Sequence, residues 1–158
     1  MKKTNALRLL DQRKIIYETV EYEYNEENLS VKKMAGDNFF IADNVFKTLV
    51  ARGDKNGVLI AVINGNQTLN LKSLAKVSGN KKIALIQVKE LLNLTGYIRG
   101  GCSPIGMKKN YPVFIDQSTL EFNNIYINAG IRGILVKLNP SDLLKITDGQ
   151  LVQITDID

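Results

Sequence analysis

The sequence predicts an α+β fold: a single domain over residues 1–158, with a curved, barrel-like mixed β-sheet flanked by helices. Three observations predict it. The chain has 158 residues and 44% hydrophobic content, enough for one core that buries roughly 70% of the unfolded surface. Short β-branched runs alternate with helical periodicities. No internal repeat, linker or low-complexity tract divides them.

Thr4 can cap a first helix that carries Ala6, Leu7, Leu9 and Leu10 on one side and runs to Lys14. Val20, Tyr22 and Tyr24 alternate with Glu21 and Glu23, the pattern of a half-buried strand. A short helix is expected over 29–35, stopping at Gly36. Strands are expected over 45–51, 57–63, 83–86, 112–115, 125–127 and 133–138, bounded by turn signals such as Asn64-Gly65-Asn66. Between them, helices over 71–78 and 88–95 stop at Gly79 and Gly96. A last helix over 140–146 follows Asn139, which suits an N-cap with proline in the first turn.

Composition then removes whole classes of chemistry. With no histidine and one cysteine, Cys102, the chain has no internal disulfide and no thiolate-rich zinc site. The same counts argue against catalytic zinc or non-haem iron, so no metal and no cofactor are expected. Two lysines follow Met1, but Arg8, Asp11 and Arg13 interrupt the apolar residues behind them, so no signal-peptide core forms. No uncharged apolar run approaches the roughly 20 residues that span a bilayer. The expectation is a cytoplasmic protein in a reducing compartment, without a membrane partner.

Charge is unevenly spread. From Leu71 to Lys109 there are eight cations against one acid, Glu90, while Glu18, Glu21, Glu23, Glu26 and Glu27 make the early chain acidic. Such asymmetry suits one face meeting a polyanion, and it equally suits a solvated lysine-rich surface. Within the basic segment, residues 95–109 hold four glycines, a proline and three cations in fifteen positions. Glycine lets backbone N–H groups approach a ligand closely, proline stiffens the bend, and the cations favour an anion. In a chain without histidine, such a backbone site is a leading candidate for holding an oxyanion.

Several spaced motifs now resemble one family. Phe46-Lys47-Thr48-Leu49-Val50, Leu69-Asn70-Leu71-Lys72-Ser73-Leu74-Ala75, Thr95-Gly96-Tyr97, Gly100-Gly101-Cys102-Ser103-Pro104-Ile105-Gly106 with Lys108-Lys109, and Arg132-Gly133 before Pro140-Ser141-Asp142-Leu143 look like the YbaK family of aminoacyl-tRNA deacylases. The resemblance covers nearly the whole chain. That family is related to the editing domain inserted in bacterial prolyl-tRNA synthetases, and its YbaK branch clears cysteine mischarged onto proline tRNA.

The resemblance assigns roles to residues that are ambiguous by themselves. A lysine inside an apolar strand is costly to bury, and an edge-facing, solvated Lys47 is the alternative. The family places its functionally required lysine at this position, where a cation can hold tRNA oxygens or polarise the ester carbonyl. Gly100 and Pro104 reproduce the family's Gly-x-x-x-Pro pattern, so the amides around Gly100 and Gly101 are expected to receive the substrate carbonyl oxygen; a structural tight turn is the alternative. Phe46, Thr48, Ser103 and Pro104 are expected to line the substrate, together with Tyr22, Asn128 and Asp142. Tyr22 equally suits packing, and Asp142 equally suits the first turn of a helix. Relatives commonly carry serine where Asn128 stands. Lys72, Arg99, Lys108 and Lys109 are the expected tRNA contacts.

Cys102 reads as a packing residue, with no histidine to activate it. The resemblance implies instead that the nucleophile is the substrate's own cysteinyl thiol. The implied partners are the 3′ end of an aminoacyl-tRNA and prolyl-tRNA synthetase. Two other readings stay open: a deacylase of Ala-tRNA(Pro), and a non-catalytic tRNA-binding or regulatory module.

Overall fold

The computed structural model describes residues 3–22 and 42–156. The helix expected over 29–35, its stop at Gly36, and Tyr24 lie outside the described residues. Helix α1 (Asn5–Gln12) starts where expected, the Thr4 hydroxyl accepting a hydrogen bond from the Leu7 N–H, and it buries Ala6, Leu7 and Leu10. Such a cap is worth about 1 kcal/mol. Strands β1 (Glu18–Glu21), β2 (Phe46–Gly53) and β3 (Gly57–Asn64) follow, then α2 (Leu71–Ser78), β4 (Ile83–Leu85) and α3 (Leu91–Thr95). The helix expected over 88–95 divides into a 3₁₀ turn at Val88–Glu90 and α3. After a long loop come β5 (Val113–Asp116), β6 (Ile125–Asn128), β7 (Ile134–Leu138), α4 (Pro140–Thr147) and β8 (Gln150–Val152).

The expected single barrel-like sheet is two sheets. One runs β1-β7-β6 and the other β4-β2-β3-β5-β8. The first is antiparallel throughout; in the second, β3 pairs β5 and β5 pairs β8 in parallel. They meet at one parallel bridge, Val45 to Tyr126. Barrel closure needs every strand paired on both edges, whereas among the described residues β1, β4 and β8 are left as edges.

The main core fills the space between the inner faces. Ile125, Ile127, Val136 and Leu138 of the small sheet share it with Phe46, Val50, Ile60 and Val62 of the large one, and with Leu7, Leu10 and Leu143 from the helices. On the other face of the large sheet, Leu74 and Ala75 of α2 pack on Ala51, Leu59, Ala61 and Ile63. The outer face of the small sheet carries Val20, Tyr22, Tyr126 and Leu135 with Val45. Each buried Leu or Ile contributes on the order of 1.5–3 kcal/mol.

Strand β8 had no counterpart in the sequence reading. Three residues carry too little alternation to register, and what holds the strand is remote. The buried Asp116 carboxylate accepts from Ser118 N–H (3.1 Å) on its own side and from Ile154 N–H (2.9 Å) just past β8.

Candidate functional site

Lys47 lies on β2 opposite Ile63. Side chains alternate across a strand, so Lys47 shares a face with Val45 and turns away from Phe46, which is 1% exposed and sits in the main core. The Val45–Tyr126 bridge is parallel; extended by two residues, that register sets Lys47 opposite Asn128. Asn128 pairs with Leu135, and Leu135 with Val20. Lys47, Asn128, Leu135 and Val20 thus form one row across the outer surface where the two sheets meet. Strands β2 and β6 share an isolated bridge rather than a ladder, so this register places the two polar side chains on one face beside the seam.

Both polar groups in that row lack partners. Lys47 is half-buried with no hydrogen bond or ion pair among the described residues, and burial pulls its ammonium pKa below the usual lysine value. The amide oxygen of Asn128 is buried and accepts nothing. An unpaired cation beside an unsatisfied acceptor is costly in a folded protein and is what a polar ligand would relieve.

The glycine loop lies against the β6–β7 turn, just past Asn128, and against Tyr22. Gly101 N–H donates to Ile98 C=O at 3.0 Å, closing a turn in which Gly100 has φ +87°, a conformation that suits glycine at the third position. Arg132 Nε donates to Arg99 C=O at 2.7 Å, and the Tyr22 hydroxyl donates to Gly100 C=O at 3.5 Å. A trans peptide sets its N–H opposite its C=O, so the Gly100 N–H points away from Arg132. It donates no hydrogen bond among the described residues. Of the two glycine amides expected to serve a substrate, Gly100's is therefore free and Gly101's is committed to the turn. Gly101 is needed for space: a Cβ there would lie 3.0 Å from Arg132 N and 3.1 Å from the Ile131 carbonyl carbon.

The rest of the loop is held from behind. The Tyr97 hydroxyl donates to Ile105 C=O at 2.6 Å, Asn5 Nδ2 donates to Gly106 C=O at 2.7 Å, and Ser103 Oγ accepts from Ile105 N–H at 3.1 Å. Cys102 is buried beside them, and burial pushes its thiol pKa up to about 12. A thiol so placed stays protonated and fills space, in line with the packing reading.

Other expected site residues are placed elsewhere. Phe46 stacks edge-on against Phe122 with ring centroids 6.1 Å apart. Thr48 shares the Phe46 face, its hydroxyl buried and unpartnered. Ser103 and Pro104 are buried within the loop, and Asp142 lines a depression with Arg13, Lys14 and Lys145. Lys72 is exposed on α2, whose Leu74 and Ala75 pack on the large sheet, while Arg99, Lys108 and Lys109 are exposed on the loop between α3 and β5. Conversely, Arg132 and Tyr126 were not singled out as site residues; Arg132 stood inside a quoted motif, and only the strand pairing shows which face Tyr126 takes.

The aminoacyl-tRNA editing domain matches residues 28–146. The chain is 45% identical over 153 residues to an Enterococcus faecalis protein named as a Cys-tRNA(Pro)/Cys-tRNA(Cys) deacylase, covering 97% of this chain and 93% of that one. It is 30% identical over 110 residues to the multifunctional Ser/Thr-tRNA deacylase of Escherichia coli, covering 67% and 66% of the two. A solved structure described as a trans-editing enzyme for prolyl-tRNA synthetase superposes with a TM-score of 0.84 at 22% identity, over 99% of this chain and 100% of that chain, and shows the shared fold.

Proposed function

The chain belongs to the aminoacyl-tRNA editing domain family, and on that premise we propose that it is a trans-editing deacylase that clears Cys-tRNA(Pro). The observation that carries this reading is the unpaired, desolvated Lys47 in register with the unsatisfied Asn128 oxygen, beside the free Gly100 amide. These three groups complement an aminoacyl ester. The Gly100 N–H faces the carbonyl oxygen, where negative charge develops; the Asn128 oxygen accepts from the α-ammonium; and the Lys47 ammonium meets the anionic ribose-phosphate end. Tyr22 and Arg132 hold the turn and so position Gly100.

With no histidine in the chain and the Cys102 thiol buried and held protonated, the substrate supplies the attack. The cysteinyl sulfur adds to its own ester carbonyl and a C–S bond forms. The bond to the tRNA 3′-end oxygen breaks, and the thiol proton passes to that oxygen as it leaves. Water then opens the strained cyclic thioester to free cysteine. A thiol with a pKa near 8.5 is already a few per cent thiolate at pH 7, and holding it close to the carbonyl supplies much of the acceleration.

The test is single-turnover deacylation of Cys-, Ser-, Ala- and Pro-tRNA(Pro) side by side. Cys-tRNA should react fastest and should accelerate from about pH 6 to 8.5 as the thiolate fraction grows. A hydroxyl is almost wholly protonated over this range, so Ser-tRNA should lag by at least about tenfold. Equal Ser and Cys rates would refute thiol participation and favour a bound water. Binding without turnover of any substrate would favour a non-catalytic tRNA-binding module.

A further inference from the structure

The wall formed by residues 104–107 turns away from the Lys47 row and borders a second concavity, a groove of about 720 Å³. Its other walls come from the end of α1, the stretch around Tyr111 and the end of α4. Three cations open onto it, Arg13, Lys109 and Lys145, against one acid, Asp148. Lys14 joins Arg13 and Lys145 in the adjoining depression, opposite Asp142. All four cations are exposed, and none has an ion-pair partner among the described residues. Tyr111 lines the groove and donates its hydroxyl proton to Leu94 C=O at 2.7 Å, which fixes the ring.

We propose that this groove is a docking track for the sugar-phosphate backbone of the tRNA acceptor arm, with Arg13, Lys109 and Lys145 as phosphate contacts and Tyr111 as a surface for ribose or base. The inference rests on the tRNA-editing reading and extends it to a surface outside the acyl site. A single loop joins the two places: Gly100 borders the acyl site and Pro104 to Met107 border the groove. Even fully extended, residues 100–107 span at most roughly 25 Å, so the groove lies within reach of a tRNA whose aminoacyl ester is held at Gly100. A neutral or basic partner gains nothing from three unpaired cations, whereas the closely spaced phosphates of a nucleic acid release counterions on binding them. Arg13 and Lys145 lie outside the basic segment of the sequence, and folding brings both to Lys109.

The test uses full-length protein carrying Arg13→Glu with Lys145→Glu, and separately the milder Arg13→Gln with Lys145→Gln. Affinity for uncharged tRNA(Pro) is read by fluorescence anisotropy between about 50 and 200 mM salt, a range over which several phosphate contacts give a strong dependence. The charge reversal should weaken binding at least about tenfold at low salt. The neutral pair should reduce the slope of log K against log salt by about 1 to 2, one per lost phosphate contact. Thermal melts confirm folding, and the neutral pair keeps the test decisive if the reversal does not fold. Unchanged affinity and slope in the folded variants would overturn the proposal and assign these cations to the carbonyl ends of α1 and α4. A loss seen only when prolyl-tRNA synthetase is present would overturn it in favour of a protein-docking role. The two readings fail separately: wild-type protein that binds tRNA through these residues without deacylating it would sink the deacylase reading and uphold the groove.

Discussion

At the level of single residues, the role proposed for Lys47 pulls against stability. Its ammonium is desolvated and has no partner among the described residues, and burial holds its pKa below the ordinary lysine value. Between the lowered folded value and the unfolded value, the unfolded chain holds a proton that the folded chain has lost, so stability rises with pH across that window; below it the burial penalty is fully present. Lys47→Met removes the penalty. Its melting temperature at pH 7 should equal or exceed the wild-type value, while deacylation should fall by at least about tenfold. A folded variant with near wild-type turnover would remove Lys47 from the site. Cys102 has the opposite sign. Its thiol is pushed up to about 12 by burial, so the stability it contributes is present below the unfolded thiol pKa and lost as pH rises toward the folded value. Cys102→Ala should therefore remain active, and alkylation of the native thiol should be slow at pH 8. Loss of turnover in a folded Cys102→Ala would instead implicate a protein thiolate.

Among the elements, the loop between α3 and β5 carries both the Gly100 amide of the proposed acyl site and one wall of the proposed groove. Tyr97 and Asn5 hold its far half by their bonds to Ile105 and Gly106, and Arg132 and Tyr22 hold its near half. The start of α1 also reaches the β6–β7 turn, where the Thr4 hydroxyl donates to Ala129 C=O at 2.5 Å. One helix end thus ties together the two loops that meet at Gly101. Gly101→Ala would force a methyl against the backbone of Ile131 and Arg132, displacing that junction at a cost of about 1–3 kcal/mol. We expect a lower melting temperature and at least about a tenfold loss of turnover, both measurable on purified protein. A variant that lost stability but kept full turnover would show that the junction does not position the Gly100 amide.

Across the whole molecule, much of the element order was legible because it depends on local chemistry. The Thr4 and Asn139 caps and the glycines ending α2 and α3 act within a few residues of themselves. The motifs around Lys47 and Gly100 were legible as well, since the glycine content and an apolar-strand lysine are visible in one dimension. Sheet division, by contrast, depends on which strands pair. Nothing local to Glu18–Glu21 specifies pairing with residues 134–137, and nothing local to Gln150–Val152 reveals that Asp116 anchors the chain beside it.

By itself, then, the sequence determined a mixed α+β chain, its capped helices, its family resemblance and the lysine and glycine loop on which the proposed chemistry turns. Folding alone decided that Lys47 and Asn128 share a row while Phe46 and Thr48 face the core, that the Gly101 amide closes a turn and leaves Gly100's free, and that Arg13 and Lys145 join Lys109 in one groove. Caps and periodicity arise from interactions spanning a few residues, so they are written in the order of the chain. Shared faces and uncommitted hydrogen-bonding groups arise from contacts between segments up to a hundred residues or more apart, such as Asn5 with Gly106 and Thr4 with Ala129, and these exist only once the sheets have paired.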